Sequence, residues 1–158
     1  MEHRASGTIV FPILISILIG LILEVIPMGS GLSWYRPEWM LLIVLYWLFE
    51  FSGQAGLLLA WLAGLSMDVV TGGPLGLQAF AIAFSAFLFL RYYNQSRYHP
   101  MAQQMLVIAQ LAFILLMISF WGNALFGHPS SDIKPHFLSV ITSVLAWPVV
   151  RGVLRVLT

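Results

Sequence analysis

From residue 5 to residue 23 the chain carries no charged side chain, and further long apolar runs follow it to the C-terminus. A hydrocarbon core of about 30 Å is crossed by roughly 17 to 25 largely apolar helical residues. Six stretches meet or approach that requirement: 8–26, 37–51, 54–70, 75–93, 101–126 and 137–157. Composition agrees, with 8% charged residues against about a quarter in a soluble domain. The expected fold is therefore an all-α polytopic membrane protein, a six-helix transmembrane bundle formed by residues 1–158 as a single domain. The charged start MEHR resembles a signal peptide, but the uncharged run behind it is too long and no A-x-A-like cleavage site follows, so it reads as a retained span.

The second stretch, PEWMLLIVLYWLFEF, is short for the core and must thin the bilayer or shelter among its neighbours. Pro37 suits a first helical position and Glu38 a first turn. FSGQ then breaks the chain tightly, which makes spans two and three an antiparallel hairpin. Orientation follows from basic residues in short loops. Arg4, Arg91, Arg97, Arg151 and Arg155 fall on the side of both termini, against Arg36 and Lys134 on the other, so both termini are expected in the cytoplasm. Trp34, Tyr35 and Trp39 would mark the outer interface, and Tyr46, Trp47, Tyr92, Tyr93 and Tyr98 the inner one.

Several function classes lose support at this level. A formal charge of +1 provides no basic field for nucleic acid. The absence of cysteine removes disulfides, thiolate metal sites and cysteine nucleophiles. No G-x-S-x-G elbow occurs, the four histidines fall at loops or span ends, and only Asp68 and Asp132 could supply an aspartate pair, the latter from a loop. His128, Asp132 and His136 stand four apart, yet Pro129 and Pro135 interrupt the helix a metal site would need. No enzyme, cofactor or metal is expected.

Asp68 is the polar residue that most needs an explanation, since an acid within a span is costly. Gly56, Ala60 and Gly64 precede it at four-residue intervals, so span three presents a small-residue groove that ends in a carboxylate. Such a groove lets another helix approach closely. Both Glu24 and Asp68 lie at helix C-termini, where an acid opposes the macrodipole unless a cation compensates. The hairpin brings Arg36 to the same end. A cluster of Glu24, Arg36, Glu38 and Asp68 is therefore expected, with Arg36 as its hub and an Arg36–Asp68 pair within it.

The segment TGGPLG forms the turn after Asp68. Gly72 and Gly73 permit positive φ, Pro74 can open the next helix, and Gly76 allows close approach. It lacks the lysine and preceding strand of a phosphate-binding loop. RYYNQSRYHP, with Arg91 and Arg97, reads as a cytoplasmic anchor on anionic lipid. Pro148 should kink span six.

WYRPEWMLLIVLYWLFE followed by GLSMDVVTGGPLG, in a chain of 158 residues with six expected spans, resembles the bacterial rod shape-determining protein MreD family. The resemblance covers nearly the whole chain and is most specific at Arg36-Pro37 with Trp39, at Tyr46-Trp47, at Asp68 with Pro74-Leu75-Gly76, and at Trp147-Pro148. It implies a non-enzymatic inner-membrane scaffold of the cell-elongation machinery, working with MreC, filamentous MreB, RodA and its class B penicillin-binding partner. It also implies a fold similar to the substrate-binding subunits of energy-coupling-factor vitamin transporters. A small-molecule binding subunit is thus the alternative, with the Glu24, Arg36, Glu38 and Asp68 cluster as its pocket floor. Short outer loops, and few uncharged polar side chains besides Asn123 and Thr71, weigh against that alternative. The small-residue groove and the outer charges are then the two candidate surfaces for the MreC transmembrane helix.

Overall fold

The computed structural model describes residues 3–27, 29, 35–50, 54–92, 100–127 and 134–157. They form six helices: α1 (His3–Val25), α2 (Trp39–Glu50), α3 (Gln54–Thr71), α4 (Leu77–Tyr92), α5 (Met101–Leu125) and α6 (Lys134–Leu157). Among the described residues there is no strand. Each expected run falls on one helix, but the ends differ. Pro37 and Glu38 precede α2, and the Glu38 carbonyl accepts the first helical bond from Leu42 N–H at 3.1 Å. Two helical stretches, Met101–Leu125 and Phe137–Val156, are long and apolar enough to cross a membrane on their own. Shorter apolar stretches are Val10–Val25, Trp39–Glu50, Gly56–Thr71 and Leu77–Arg91. Through Pro148, α6 runs without a break.

Consecutive helices pack as antiparallel neighbours, and α2 occupies the centre, in contact with α1, α3, α4 and α6. Every residue from Met40 to Leu48 is buried. A helix that is apolar on all faces has no side to offer water, and here neighbouring helices rather than lipid cover it. Its 12 residues extend about 18 Å at the usual helical rise. Neighbouring helices surround that short length.

Tyr46 and Trp47, expected at the inner interface, are instead 3% and 1% exposed within this core. For Trp47 a polar partner explains how the core tolerates it. The Trp47 indole Nε1 donates to Ser16 Oγ at 2.8 Å, and Ser16 Oγ donates to the Ile13 carbonyl at 2.8 Å. A second buried tryptophan is handled alike: Trp147 Nε1 donates to Gln104 Oε1 at 3.2 Å. Phe49, at the end of α2, packs on Phe89 and Trp147 with ring centroids 4.6 and 5.5 Å away.

The most extensive helix pair is α3 with α4. Gly56, Ala60 and Gly64 are all buried, and at Gly64 the small-residue groove is filled by α4 of the same chain. At Gly64 the two backbones touch. A Cβ on Gly64 would lie 2.7 Å from the Gln78 carbonyl and 2.8 Å from Ala79 N. A similar fit seats Leu77 of α4 on Gly122 of α5. By contrast α1 and α6 expose apolar rows, including Leu14, Leu18 and Ile22 on one and Ile141, Leu145 and Val149 on the other. Such rows suit contact with lipid tails.

Gly64→Val should destabilise the bundle by about 1–3 kcal/mol or more, because rigid backbone has no rotamer with which to yield. Gly73→Ala, whose new methyl would meet only Thr71 Oγ1 at 3.7 Å, should leave thermal unfolding of the detergent-solubilised protein unchanged.

Candidate functional site

Asp68 lies in the last turn of α3, 1% exposed. The helix closes behind it: Gly72, at φ 67°, donates its N–H to the Asp68 carbonyl at 3.1 Å. The chain then reverses through Pro74 to Gly76, at φ 94°, whose carbonyl accepts the Phe80 N–H at 2.9 Å. Positive φ is thus used at Gly72 and Gly76 and not at Gly73, and Pro74 stands in the turn rather than opening α4. This geometry aims the first amides of α4 back at α3.

Asp68 receives them. Oδ2 accepts the N–H of Gly76 at 2.8 Å and of Ala79 at 3.2 Å, while Oδ1 accepts that of Gln78 at 2.9 Å. The first amides of a helix have no partner within it and carry the positive end of its dipole, so a carboxylate suits both needs. The expected Arg36–Asp68 pair is not formed. Instead of a cation, the start of α4 compensates the acid at the end of α3.

Arg36 does the complementary work at the other polarity. Its Nη2 donates to the carbonyls of Leu23 at 2.9 Å and Ile26 at 2.5 Å, the last turn of α1 and the residue after it. A cation at a helix C-terminus both satisfies unpaired carbonyls and opposes the negative end of the dipole.

Glu24 and Glu38 gather around Arg36. Glu24 lies within electrostatic range of both Glu38 and Arg36. Glu38 ties the start of α2 to α6: its N–H donates to Ser143 Oγ at 2.8 Å, and its Oε1 accepts from Ser139 Oγ at 3.0 Å. Ser143 Oγ in turn donates to the Ser139 carbonyl at 2.7 Å. Three of the four expected cluster members therefore meet, and Asp68 belongs to a separate network. The corner keeps unpaired buried atoms: Glu24 Oε2, Arg36 Nε and Trp39 Nε1.

Sequence reading missed the serines that complete this corner. Their signal was present as hydroxyls four apart on one face of an apolar helix, a spacing suited to holding a neighbour. Ser16 and Gln104, which hold the two buried indoles, were missed for the same reason. Arg91 is exposed in the last turn of α4. Arg97, His128 and Asp132 lie outside the described residues.

An outward-opening polar pocket is not what these residues build. Asp68 is enclosed and fully engaged with backbone. Two cavities among the described residues are apolar, one of about 620 Å³ lined by residues such as Trp61, Phe80 and Phe84, and one of about 170 Å³ between α1, α2 and α6.

Asp68→Leu should cost several kcal/mol, because three backbone donors would lose their acceptor at about 1–3 kcal/mol each. Asp68→Asn should be milder, since one oxygen remains. Exchanging the charges with Arg36→Asp and Asp68→Arg together should give a protein no more stable than either single variant in a detergent melting series, whereas rescue by the exchange would restore the direct pair.

Comparison with known proteins accords with the motifs in WYRPEW and MDVVTGGPLG. A family profile described as rod shape-determining protein MreD matches residues 6–157. The rod shape-determining protein MreD of Haemophilus influenzae is 26% identical over 149 residues, covering 92% of this chain and 89% of that protein. No solved structure matches the chain, and the expected likeness to energy-coupling-factor subunits finds no support. An apolar helical bundle whose buried charges close helix ends, matched from residue 6 to residue 157, belongs to the MreD family of membrane proteins and acts in rod shape determination.

Proposed function

We propose that this chain is a non-enzymatic, multi-pass scaffold of the bacterial inner membrane, which binds MreC and helps couple MreB filaments to peptidoglycan synthesis by RodA and its class B penicillin-binding partner. The observation that carries the reading is the family match over almost the entire chain. Its physical support is the way the described charges are used. Asp68 and Arg36 close helix ends and Glu38 joins two helices, which suits a rigid body more than a reaction centre.

Six spans with both termini in the cytoplasm follow from the distribution of arginines. Arg91, Arg151 and Arg155 then lie at the cytoplasmic end and Arg36 at the outer end. Because α4 fills the groove at Gly64, the MreC helix is assigned to the second surface considered, the outer corner of Glu24, Arg36 and Glu38. These side chains are only half-buried, which suits contact with a neighbour.

Replacing the native gene in its own host tests this reading. Loss of the protein should turn rods into spheres, the wild-type chain should copurify with MreC, and a C-terminal fluorescent protein should mature as it does only in the cytoplasm. Single cysteines near Glu24 should crosslink to the MreC helix, a clean scan because the native chain has no cysteine. Normal rods without the protein, or purification free of MreC, would overturn it.

A further inference from the structure

Arg151, in the penultimate turns of α6, is held in a way that its sequence position does not require. Its Nη1 donates to Gln104 Oε1 at 2.7 Å and lies 3.8 Å from Met101 Sδ, both on the first turn of α5. Gln104 is 4% exposed, and the same oxygen accepts the indole N–H of buried Trp147, one turn earlier on α6. Two donors from α6 therefore converge on one amide of α5, and the amide fixes the direction of the guanidinium. An arginine that merely reached for water would need no such buried anchor.

The remaining donors of Arg151 have no acceptor among the described residues, and the side chain is only half-buried. Among the described residues no carboxylate pairs with it. At this level the bundle passes from apolar side chains to arginines: Trp147 is in the core, Arg151 follows one turn later and exposed Arg155 one turn after that. That is the depth at which a lipid headgroup meets a membrane protein. A planar guanidinium fork with free donors matches the oxygens of a phosphate, and holding it in place lowers the entropy lost on binding. The start of α5 beside it adds a favourable dipole and, with Pro100 as N-cap, has no side-chain cap bond of its own.

We infer that Arg151, positioned by Gln104, is a defined binding site for the phosphate of an anionic phospholipid in the leaflet at the end of the bundle that carries both termini. Its chemistry is separate from that of the mobile surface attraction expected of Arg91 and Arg97, because here one guanidinium is oriented by a buried partner. The site rests on membrane residence alone and is independent of MreC binding.

Native mass spectrometry of the full chain, released from detergent with added phosphatidylglycerol, phosphatidylcholine or inorganic phosphate, tests the assignment. One phosphatidylglycerol should be retained per chain in preference to phosphatidylcholine. Arg151→Gln should weaken retention about tenfold, and Arg151→Lys should fall between, since it keeps the charge and loses the fork. Gln104→Leu should weaken retention while leaving the charge in place. If that variant fails to fold, the ordering of wild type, Lys and Gln at position 151 still decides the matter. Equal retention by wild type and Arg151→Gln would overturn the site. Displacement of the lipid by inorganic phosphate would overturn the headgroup assignment in favour of a free anion.

Discussion

The Asp68 carboxylate closes the start of α4 from the end of α3, and a backbone-to-backbone contact of the two helices lies one turn away. Where lipid replaces water, each unpaired backbone amide costs several kcal/mol, so the opening turn of a buried helix needs an acceptor from somewhere in the protein. Asp68 provides both oxygens to three such amides. Gly64, on the same face of α3, lets the backbones of α3 and α4 meet at Gln78 and Ala79. Close approach and capping support one another. Contact without the carboxylate would bury unsatisfied amides, and the carboxylate without the contact would have nothing to cap.

Arg36 repeats that logic with the opposite sign, by taking the last carbonyls of α1. Together they form a frame around α2, which has no polar face of its own and is too short to span a bilayer unaided. Glu38 at its start and Phe49 near its end tie it to α6, so its position is set at both ends. A central helix held in this way gives a bundle with little reason to rearrange. Such rigidity suits a protein that holds others in place.

Charged residues in a membrane are by default functional candidates. Here Asp68, Arg36 and Glu38 serve the fold first. What is left for recognition is peripheral: the half-buried corner of Glu24, Arg36 and Glu38, the guanidinium of Arg151, and the apolar rows on α1 and α6.

The number of helices and their approximate extents were legible in the sequence, because the length and apolarity of a run are local properties. So was the importance of Asp68, as a rare acid beside a periodic row of small residues. Its partner was not legible. The hairpin reading brought both Arg36 and the amides of α4 near the same end, and the choice between a cation and a helix start depends on where the turn through Gly72 and Gly76 points those amides. Trp47 shows the same limit: its aromatic character suggested an interface, but Ser16, on another helix, made burial possible. Local sequence thus settled which segments are helical and apolar, while tertiary structure settled which polar atoms meet, because hydrogen bonds depend on direction and distance between segments far apart in the chain.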